Sequence, residues 1–165
     1  MDVRRRIQPF RAALLGACRR VYGNRLAAVA LFGSWARGTA TPASDLDVLI
    51  VARDLPPSRR KRVAEFDAVE RDTAADRRLI WADFHAASEL SPVIKTPEEM
   101  KAGSPLFLDM TECCDILWDG DRVLREYLDG LRKRLAELGA RRRPRKGGYY
   151  WQYKPDRQPS EVVTL

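Results

Sequence analysis

Gly33, Ser34 and Arg37 form a short segment whose residue types suit a bound phosphate. They follow the apolar run at residues 26–32, so the sequence predicts a strand that ends in a turn and continues as a helix. The first N–H groups of a helix lack intrahelical partners, and a glycine lets a phosphate approach the main chain closely. The Ser34 hydroxyl and the Arg37 guanidinium can add polar contacts. We therefore expect this segment to hold an anionic ligand.

Two aspartates, Asp45 and Asp47, stand two positions apart at the start of a second apolar run, residues 47–51. Alternate side chains of an extended strand point to the same face, so the two carboxylates would lie side by side. Their charges repel each other unless a cation lies between them. Mg²⁺ suits such a site because it accepts hard oxygen ligands and completes its shell with water and substrate phosphates.

Each of these features is common on its own. Gly-Ser after a strand occurs in many turns, and Asp-x-Asp often caps a loop. Their combination is more specific: a strand, a Gly-Ser turn, a ten-residue spacer and Asp-x-Asp on a second apolar strand. Together they indicate a nucleotide-and-metal site. The nucleotide-binding candidates are Gly33, Ser34, Arg37 and Ser44.

The remaining pattern predicts one α/β domain around these two strands. Apolar residues recur at three- and four-residue steps over residues 2–22 and 124–138, which predicts two amphipathic helices, the first with Asp2 as a possible N-cap. Another helix is predicted to begin near Ser58, after two prolines, and to extend to about residue 86. The other predicted elements are strands at 90–94 and 115–118 and short helices at 97–102 and 105–110.

Two segments fit a regular core less well. Pro92 interrupts the strand at 90–94, which favours an edge position or a bulge because proline donates no backbone hydrogen bond. Residues 140–165 are rich in Arg, Pro, Gly and aromatic residues and are interpreted as a loosely attached tail. We therefore divide the chain into a folded domain at 1–139 and a basic, aromatic-rich tail at 140–165.

The composition is that of one folded domain, with 165 residues, 45% of them hydrophobic and 32% charged. The apolar runs are far shorter than the roughly 20 residues that cross a bilayer, and no signal peptide is evident, so we expect no membrane span and a cytoplasmic location. The net charge of +7 favours an anionic partner such as an NTP, RNA or an acidic protein face. Cys18, Cys113 and Cys114 are expected to be buried free thiols. With a single histidine, His85, any metal would need carboxylate ligands.

The segment Gly33-Ser34, ten residues and Asp45-x-Asp47 resembles the G-S-x10-D-x-D signature of the DNA polymerase β-like nucleotidyltransferase superfamily. Ala36-Arg37-Gly38 is similar to the same position in its minimal, single-domain branch. The resemblance is strongest over residues 30–51 and weaker to about residue 121. It implies an α/β (α+β) fold with a small mixed sheet flanked by helices.

The resemblance also implies a third acidic ligand from a later strand. Glu89, directly before the strand at 90–94, matches that position best, and Asp83 is the reserve candidate. In this family the three carboxylates hold two Mg²⁺ ions, one at the acceptor hydroxyl and one at the triphosphate. The implied catalytic and metal-binding residues are Asp45, Asp47 and Glu89.

The resemblance implies transfer of a nucleoside monophosphate from an NTP, with ATP as the expected donor, to an acceptor hydroxyl. Minimal members frequently act as antitoxins that attach AMP to a tyrosine of a HEPN-domain toxin, so a HEPN-domain protein is the expected partner. One alternative is transfer to a small molecule, as in aminoglycoside nucleotidyltransferases.

Another alternative is a non-catalytic RNA-binding module that uses the Arg-rich end and the aromatic residues at 149–153. Packing of these aromatic residues on the domain is favoured over RNA binding. The base preference and the oligomeric state, including a homo-oligomer, stay open.

Overall fold

A four-stranded mixed sheet forms the centre of the protein in a computed structural model, which describes residues 3–80, 82, 89–145 and 148–153. The strands are β1 (Leu26–Leu31), β2 (Leu46–Ala52), β3 (Leu90–Lys95) and β4 (Asp115–Asp119). Their order is β3-β2-β1-β4, with β2 parallel to β3 and β1 antiparallel to both β2 and β4. Helices flank this sheet, so the predicted fold class is confirmed.

The N-terminal helix predicted over residues 2–22 is divided in two, α1 (Val3–Arg6) and α2 (Gln8–Tyr22). Pro9 accounts for the break, because its ring would collide with the carbonyl group four residues earlier in a continuous helix. Asp2, the expected N-cap, lies outside the described residues.

The helix predicted over residues 58–86 is wrong in its length, because α4 (Arg59–Asp72) ends at Thr73 and is followed by α5 (Ala74–Ile80). Thr73 is fully buried, and its hydroxyl donates a 2.8 Å hydrogen bond to the carbonyl one turn earlier. Such a bond offers the backbone an alternative to continuing the helix. Residues 83–88 lie outside the described part of the chain.

The second half of the chain follows the predicted order of elements. β3 is an edge strand of the sheet, as Pro92 predicted. The helices after β3 are α6 (Pro97–Lys101), α7 (Pro105–Glu112) and α8 (Val123–Glu137). In the first half of the chain, α3 (Gly33–Arg37) lies between β1 and β2. None of the helices in the described ranges is long and apolar enough to cross a membrane.

The sheet is covered on both faces, and strand alternation in β2 assigns each side chain to one of them. Leu46, Val48 and Ile50 pack in one cluster with residues of α2 and α4. Leu49 and Val51 pack in a second cluster with residues of α7 and α8. Since alternate residues share a face, Asp47 projects on the same side of β2 as Leu49.

The chain ends in a two-stranded hairpin of β5 (Arg141–Arg145) and β6 (Gly148–Gln152). Tyr149 and Trp151 both donate hydrogen bonds to the carboxylate of Asp109 on α7. The expectation of a loosely attached tail is therefore wrong for these residues, and the alternative that the aromatic residues pack on the domain is confirmed for these two. The boundary between residues 139 and 140 stays a prediction.

Candidate active site

The strand directions gather the candidate residues at one end of the sheet. β1 runs toward this end and stops there, whereas β2, β3 and β4 begin there, because β1 is antiparallel to its neighbours and β3 is parallel to β2. The turn after β1 carries Gly33, and the residues before β2 and β3 are Asp45 and Glu89. The topology thus brings together three segments that lie far apart in the sequence.

Asp47 lies directly against the turn at Gly33. The N–H group of Phe32 donates a 3.1 Å hydrogen bond to the Asp47 carbonyl. Gly33 has φ +68°, and a Cβ atom placed on it would overlap Asp47 Oδ2 and lie 3.0 Å from Asp47 Cγ. Only glycine fits here, because both the positive φ and the space taken by the carboxylate exclude a side chain.

The environment of Asp47 disfavours its negative charge. The side chain is half-buried, and its pKa is raised by burial and then by the charge of Asp45, while the guanidinium of Arg37 partly offsets both effects. The three charges therefore act on one another across the turn, and the paired carboxylates carry more negative charge than one arginine neutralises. A divalent cation with oxygen ligands would relieve this repulsion.

The short helix α3 presents Ser34 and Arg37 at this end of the sheet. Ser34 is half-buried, and its carbonyl accepts a 2.9 Å hydrogen bond from the N–H of Thr39. Arg37 is exposed. The thiol of Cys113 donates a 3.1 Å hydrogen bond to the carbonyl of Ala36. This positioning contact could not be predicted from the sequence, because the two residues are 77 positions apart.

Ser44, predicted to bind nucleotide, takes part in the loop that leads to Asp45. Its hydroxyl accepts a 3.0 Å hydrogen bond from the N–H of Thr41, and its own N–H donates to the Thr41 carbonyl at 2.9 Å. These two contacts close a tight turn immediately before the first aspartate. The structure thus gives Ser44 a role in shaping the loop, and its contact with a nucleotide stays a prediction.

Glu89 is exposed at the start of β3, and its carbonyl accepts a 2.7 Å hydrogen bond from the N–H of Leu46. Asp45 and Glu89 line the same cavity of about 350 Å³, between α4 and β3. No group of three or more acidic, cysteine or histidine residues in the described ranges is placed to hold a metal ion. The role of Glu89 as third ligand therefore stays a prediction, and Asp83 and His85 lie outside the described residues.

The geometry around Gly33 is compatible with a cation and a phosphate. Two carboxylates supply hard oxygen donors, Arg37 only partly offsets the negative charge around the half-buried Asp47, and this carboxylate lies directly against the glycine of the turn. The family model described as a nucleotidyltransferase domain matches residues 12–100, which include this turn and both aspartates. The chain belongs to the nucleotidyltransferase family.

The sequence of this nucleotidyltransferase also matches that of a named relative over most of its length. "Putative protein adenylyltransferase MJ1305" of Methanocaldococcus jannaschii is 30% identical over 126 residues, which are 75% of this chain and 80% of that protein. The shared region therefore extends well beyond the Gly-Ser and Asp-x-Asp segments.

Solved structures show the same fold. A crystal structure of a toxin-antitoxin with AMP-PNP contains a chain that matches with a TM-score of 0.51 and 18% identity, covering 78% of this nucleotidyltransferase and 92% of that chain. A mutant MntA-HpeT toxin-antitoxin structure matches with a TM-score of 0.51 and 16% identity at the same coverage. At these identities the likeness establishes the architecture.

Proposed function

We propose that this nucleotidyltransferase transfers AMP from ATP to a hydroxyl group of a partner protein and releases pyrophosphate. The observation that carries the proposal is the contact between Asp47 and Gly33, because it brings one of the two carboxylates against the turn that would bind phosphate. The name of the Methanocaldococcus relative, a protein adenylyltransferase, supports AMP as the transferred group and a protein as the acceptor.

The residues around the turn have separate tasks in this proposal. Gly33 and Ser34 bind the phosphates of ATP, and the exposed guanidinium of Arg37 contributes positive charge beside them. Asp45, Asp47 and Glu89 would hold two Mg²⁺ ions, which when bound supply positive charge at the triphosphate and lower the pKa of the acceptor hydroxyl.

The transfer itself is a single displacement at the α-phosphorus of ATP. The acceptor oxygen forms a bond to this phosphorus while the bond to the oxygen that bridges the α- and β-phosphates breaks, and pyrophosphate leaves with that electron pair. The hydroxyl proton passes to water. Positive charge and hydrogen-bond donors near the leaving group are the main contribution that a protein makes to such chemistry. The Arg37 guanidinium would supply the charge, and the Ser34 hydroxyl would donate a hydrogen bond.

The acceptor reaches the site from the side of α4 and β3 in this proposal. Asp45 and Glu89 line the cavity between these elements, and its wall also includes Val63, a large apolar side chain that is 39% exposed. An apolar wall next to two carboxylates suits an aromatic side chain that carries a hydroxyl group. We therefore propose a tyrosine of a HEPN-domain toxin as the acceptor, with this chain as the antitoxin.

The test is transfer of label from ATP labelled in its α-phosphate to the product of the neighbouring gene, with Mg²⁺ present. We expect the wild-type protein to label the partner and Asp45→Asn with Asp47→Asn to reduce the rate at least about 100-fold. Asp121→Asn with Asp129→Asn removes two exposed carboxylates elsewhere and serves as the matched control. Full labelling by the Asp45/Asp47 variant would refute the site.

The same assay tests the third ligand. Glu89→Gln keeps the size of the side chain but removes its charge, so we expect a lower rate and weaker Mg²⁺ binding by calorimetry, both because one metal ligand is lost. Asp83→Asn is the matched comparison, since Asp83 is the reserve candidate. A normal rate for Glu89→Gln together with a low rate for Asp83→Asn would move the third ligand to Asp83.

A further inference from the structure

The C-terminal hairpin has two faces of different character. Alternation along β6 places Tyr149 and Trp151 on one face and Tyr150 on the other. The inner face is attached to the domain through the bonds of Tyr149 and Trp151 to Asp109, and the guanidinium of Arg142 lies over the Tyr149 ring, 3.3 Å from its centroid. These contacts hold the hairpin in place and leave its other face directed outward.

The outer face combines arginines with an aromatic ring. Arg141, Arg143 and Arg145 alternate along β5, so all three share the face of Tyr150, and Arg143 is the residue opposite Tyr150 in the register. All three arginines are exposed, and Tyr150 is 51% exposed. The only side-chain hydrogen bond from this arginine row within the described residues joins Arg143 Nε to Gln152 Oε1 at 3.0 Å.

The positive charges of this face have no acidic residue beside them in the sequence. Residues 141–153 contain no aspartate or glutamate, although the chain has 23 of them. An exposed tyrosine in the middle of three arginines contributes little to the stability of the fold, because about half of its surface stays in contact with water. The same arrangement matches a chain of phosphates that carries flat bases, since guanidinium groups pair with phosphates and rings stack on bases.

We propose that the outer face of the β5–β6 hairpin, formed by Arg141, Arg143, Arg145 and Tyr150, binds single-stranded nucleic acid. A single strand is the ligand that fits, because its unpaired bases are free to stack on Tyr150, whereas duplex bases are stacked on one another. The row of arginines along β5 follows the phosphates. This site is separate from the proposed transfer reaction, since none of its residues belongs to the turn or to the acidic pair.

The binding is tested with fluorescein-labelled RNA and DNA single strands of about 12 nucleotides, by fluorescence anisotropy on the full chain without ATP. We expect Tyr150→Ala to weaken binding about tenfold through lost stacking. Replacing Arg141, Arg143 and Arg145 by Gln should abolish most binding. Three phosphate contacts predict a slope of about −2 for log affinity against log salt concentration, which should approach zero in this triple variant.

The matched control replaces three exposed basic residues elsewhere, Arg71, Arg78 and Lys133, by Gln and removes the same charge. We expect it to bind nearly as the wild type does. Equal weakening by the control, or unchanged affinity of Tyr150→Ala, would overturn the proposal, because either result describes general attraction to polyanions. Tighter binding of duplex DNA than of both single strands would also overturn it.

Two further comparisons complete the experiment. A difference between RNA and DNA single strands identifies which of them the face prefers, and binding by either supports the site. Asp45→Asn with Asp47→Asn should bind as the wild type does, so failure of the proposed transfer and failure of this site give different results. Near-ultraviolet circular dichroism on each hairpin variant reports whether Tyr149 and Trp151 keep their docked environment.

Discussion

At the scale of single residues, Gly33 determines whether the site can exist. Its conformation, φ +68°, is one that a residue with a side chain adopts only at a cost, and the space above its Cα is filled by the Asp47 carboxylate. The glycine therefore serves two purposes at once. It turns the chain from β1 into α3, and it lets an acidic side chain from β2 lie against the turn that is proposed to hold phosphate.

We predict that Gly33→Ala reduces AMP transfer about 100-fold, because the new methyl group displaces the Asp47 carboxylate and misplacement of a reacting group by an ångström has an effect of this size. The initial rate of partner labelling measures it. Thermal unfolding should show a loss of about 1–2 kcal/mol from the positive φ alone.

Gly103→Ala separates the loss of stability from the loss of transfer rate that we predict for Gly33→Ala. Gly103 also has a positive φ, +86°, but a Cβ atom there meets nothing within 4 Å. We expect the same kind of destabilisation with a normal transfer rate. If Gly33→Ala were as active as Gly103→Ala, the contact between Asp47 and the turn would have no part in the reaction.

At the scale of elements, Arg62 joins three segments around the edge of the sheet. From α4 it donates to Glu99 of α6 in a two-bond contact of 2.6 and 2.8 Å, and also to the carbonyls of Pro56 and Ile94, the latter in β3. Glu99 in turn completes a capping box with Thr96 at the start of α6. This cluster fixes α4 relative to β3, and so fixes the walls of the cavity beside Asp45.

The hydrogen bonds from the Arg62 guanidinium lower the pKa of Glu99 to about 2. Burial of the carboxylate opposes this effect, whereas the backbone N–H of Thr96 also lowers the pKa. A lowered folded-state pKa means that the ionised form stabilises the fold above the ordinary pKa of 4.5, and that this contribution is lost as the pH falls toward 2. We predict that Glu99→Gln costs about 1 kcal/mol at pH 7 and that the difference from wild type shrinks between pH 4.5 and 2.

Urea unfolding at a series of pH values measures this difference. Glu137→Gln is the comparison, since Glu137 forms an exposed ion pair with Arg134 at 3.6 Å and such pairs contribute little. A difference between Glu99→Gln and wild type that stays constant down to pH 2 would show that the charge of Glu99 is not what stabilises the cluster.

The elements that the sequence predicted well are those whose signals are local. β1 and β2 are apolar runs with clear boundaries, and Pro92 correctly indicated an edge strand because proline cannot donate to a neighbour. The combination of the Gly-Ser turn with Asp-x-Asp predicted that these residues form one site, and the structure places Asp47 against Gly33. The end of α4 was missed because Thr73 looks like an ordinary helix residue until its buried hydroxyl bond is known.

At the scale of the whole molecule, the hairpin was missed because its sequence carries no local signal of a strand. Residues 141–145 are four arginines and a proline, which show no alternation of polar and apolar side chains. What holds the hairpin is a contact between residues about 40 positions apart, from Tyr149 and Trp151 to Asp109. Such a contact leaves no periodic signal in either segment, so only the folded chain shows that part of the presumed tail is attached to α7.

Asp109 is therefore the residue on which attachment of the hairpin depends. Asp109→Ala removes the acceptor of both hydrogen bonds, and each bond to a charged group contributes about 1.5 kcal/mol or more, so the detached state should be populated at least about ten times more. We predict at least about tenfold faster cleavage by trypsin within residues 141–146, where five arginine and lysine residues stand, as followed by mass spectrometry.

Glu112→Ala, an exposed position on the same helix, controls for the loss of a negative charge on α7 and should leave the cleavage rate unchanged. Because neither Asp109 nor the hairpin belongs to the proposed transfer site, Asp109→Ala should keep a normal rate of AMP transfer. It should weaken binding of single-stranded nucleic acid, because the arginines that bind it need the docked hairpin. Parallel loss of both activities would instead mean that the hairpin is part of the catalytic domain and that the boundary at residue 139 is misplaced.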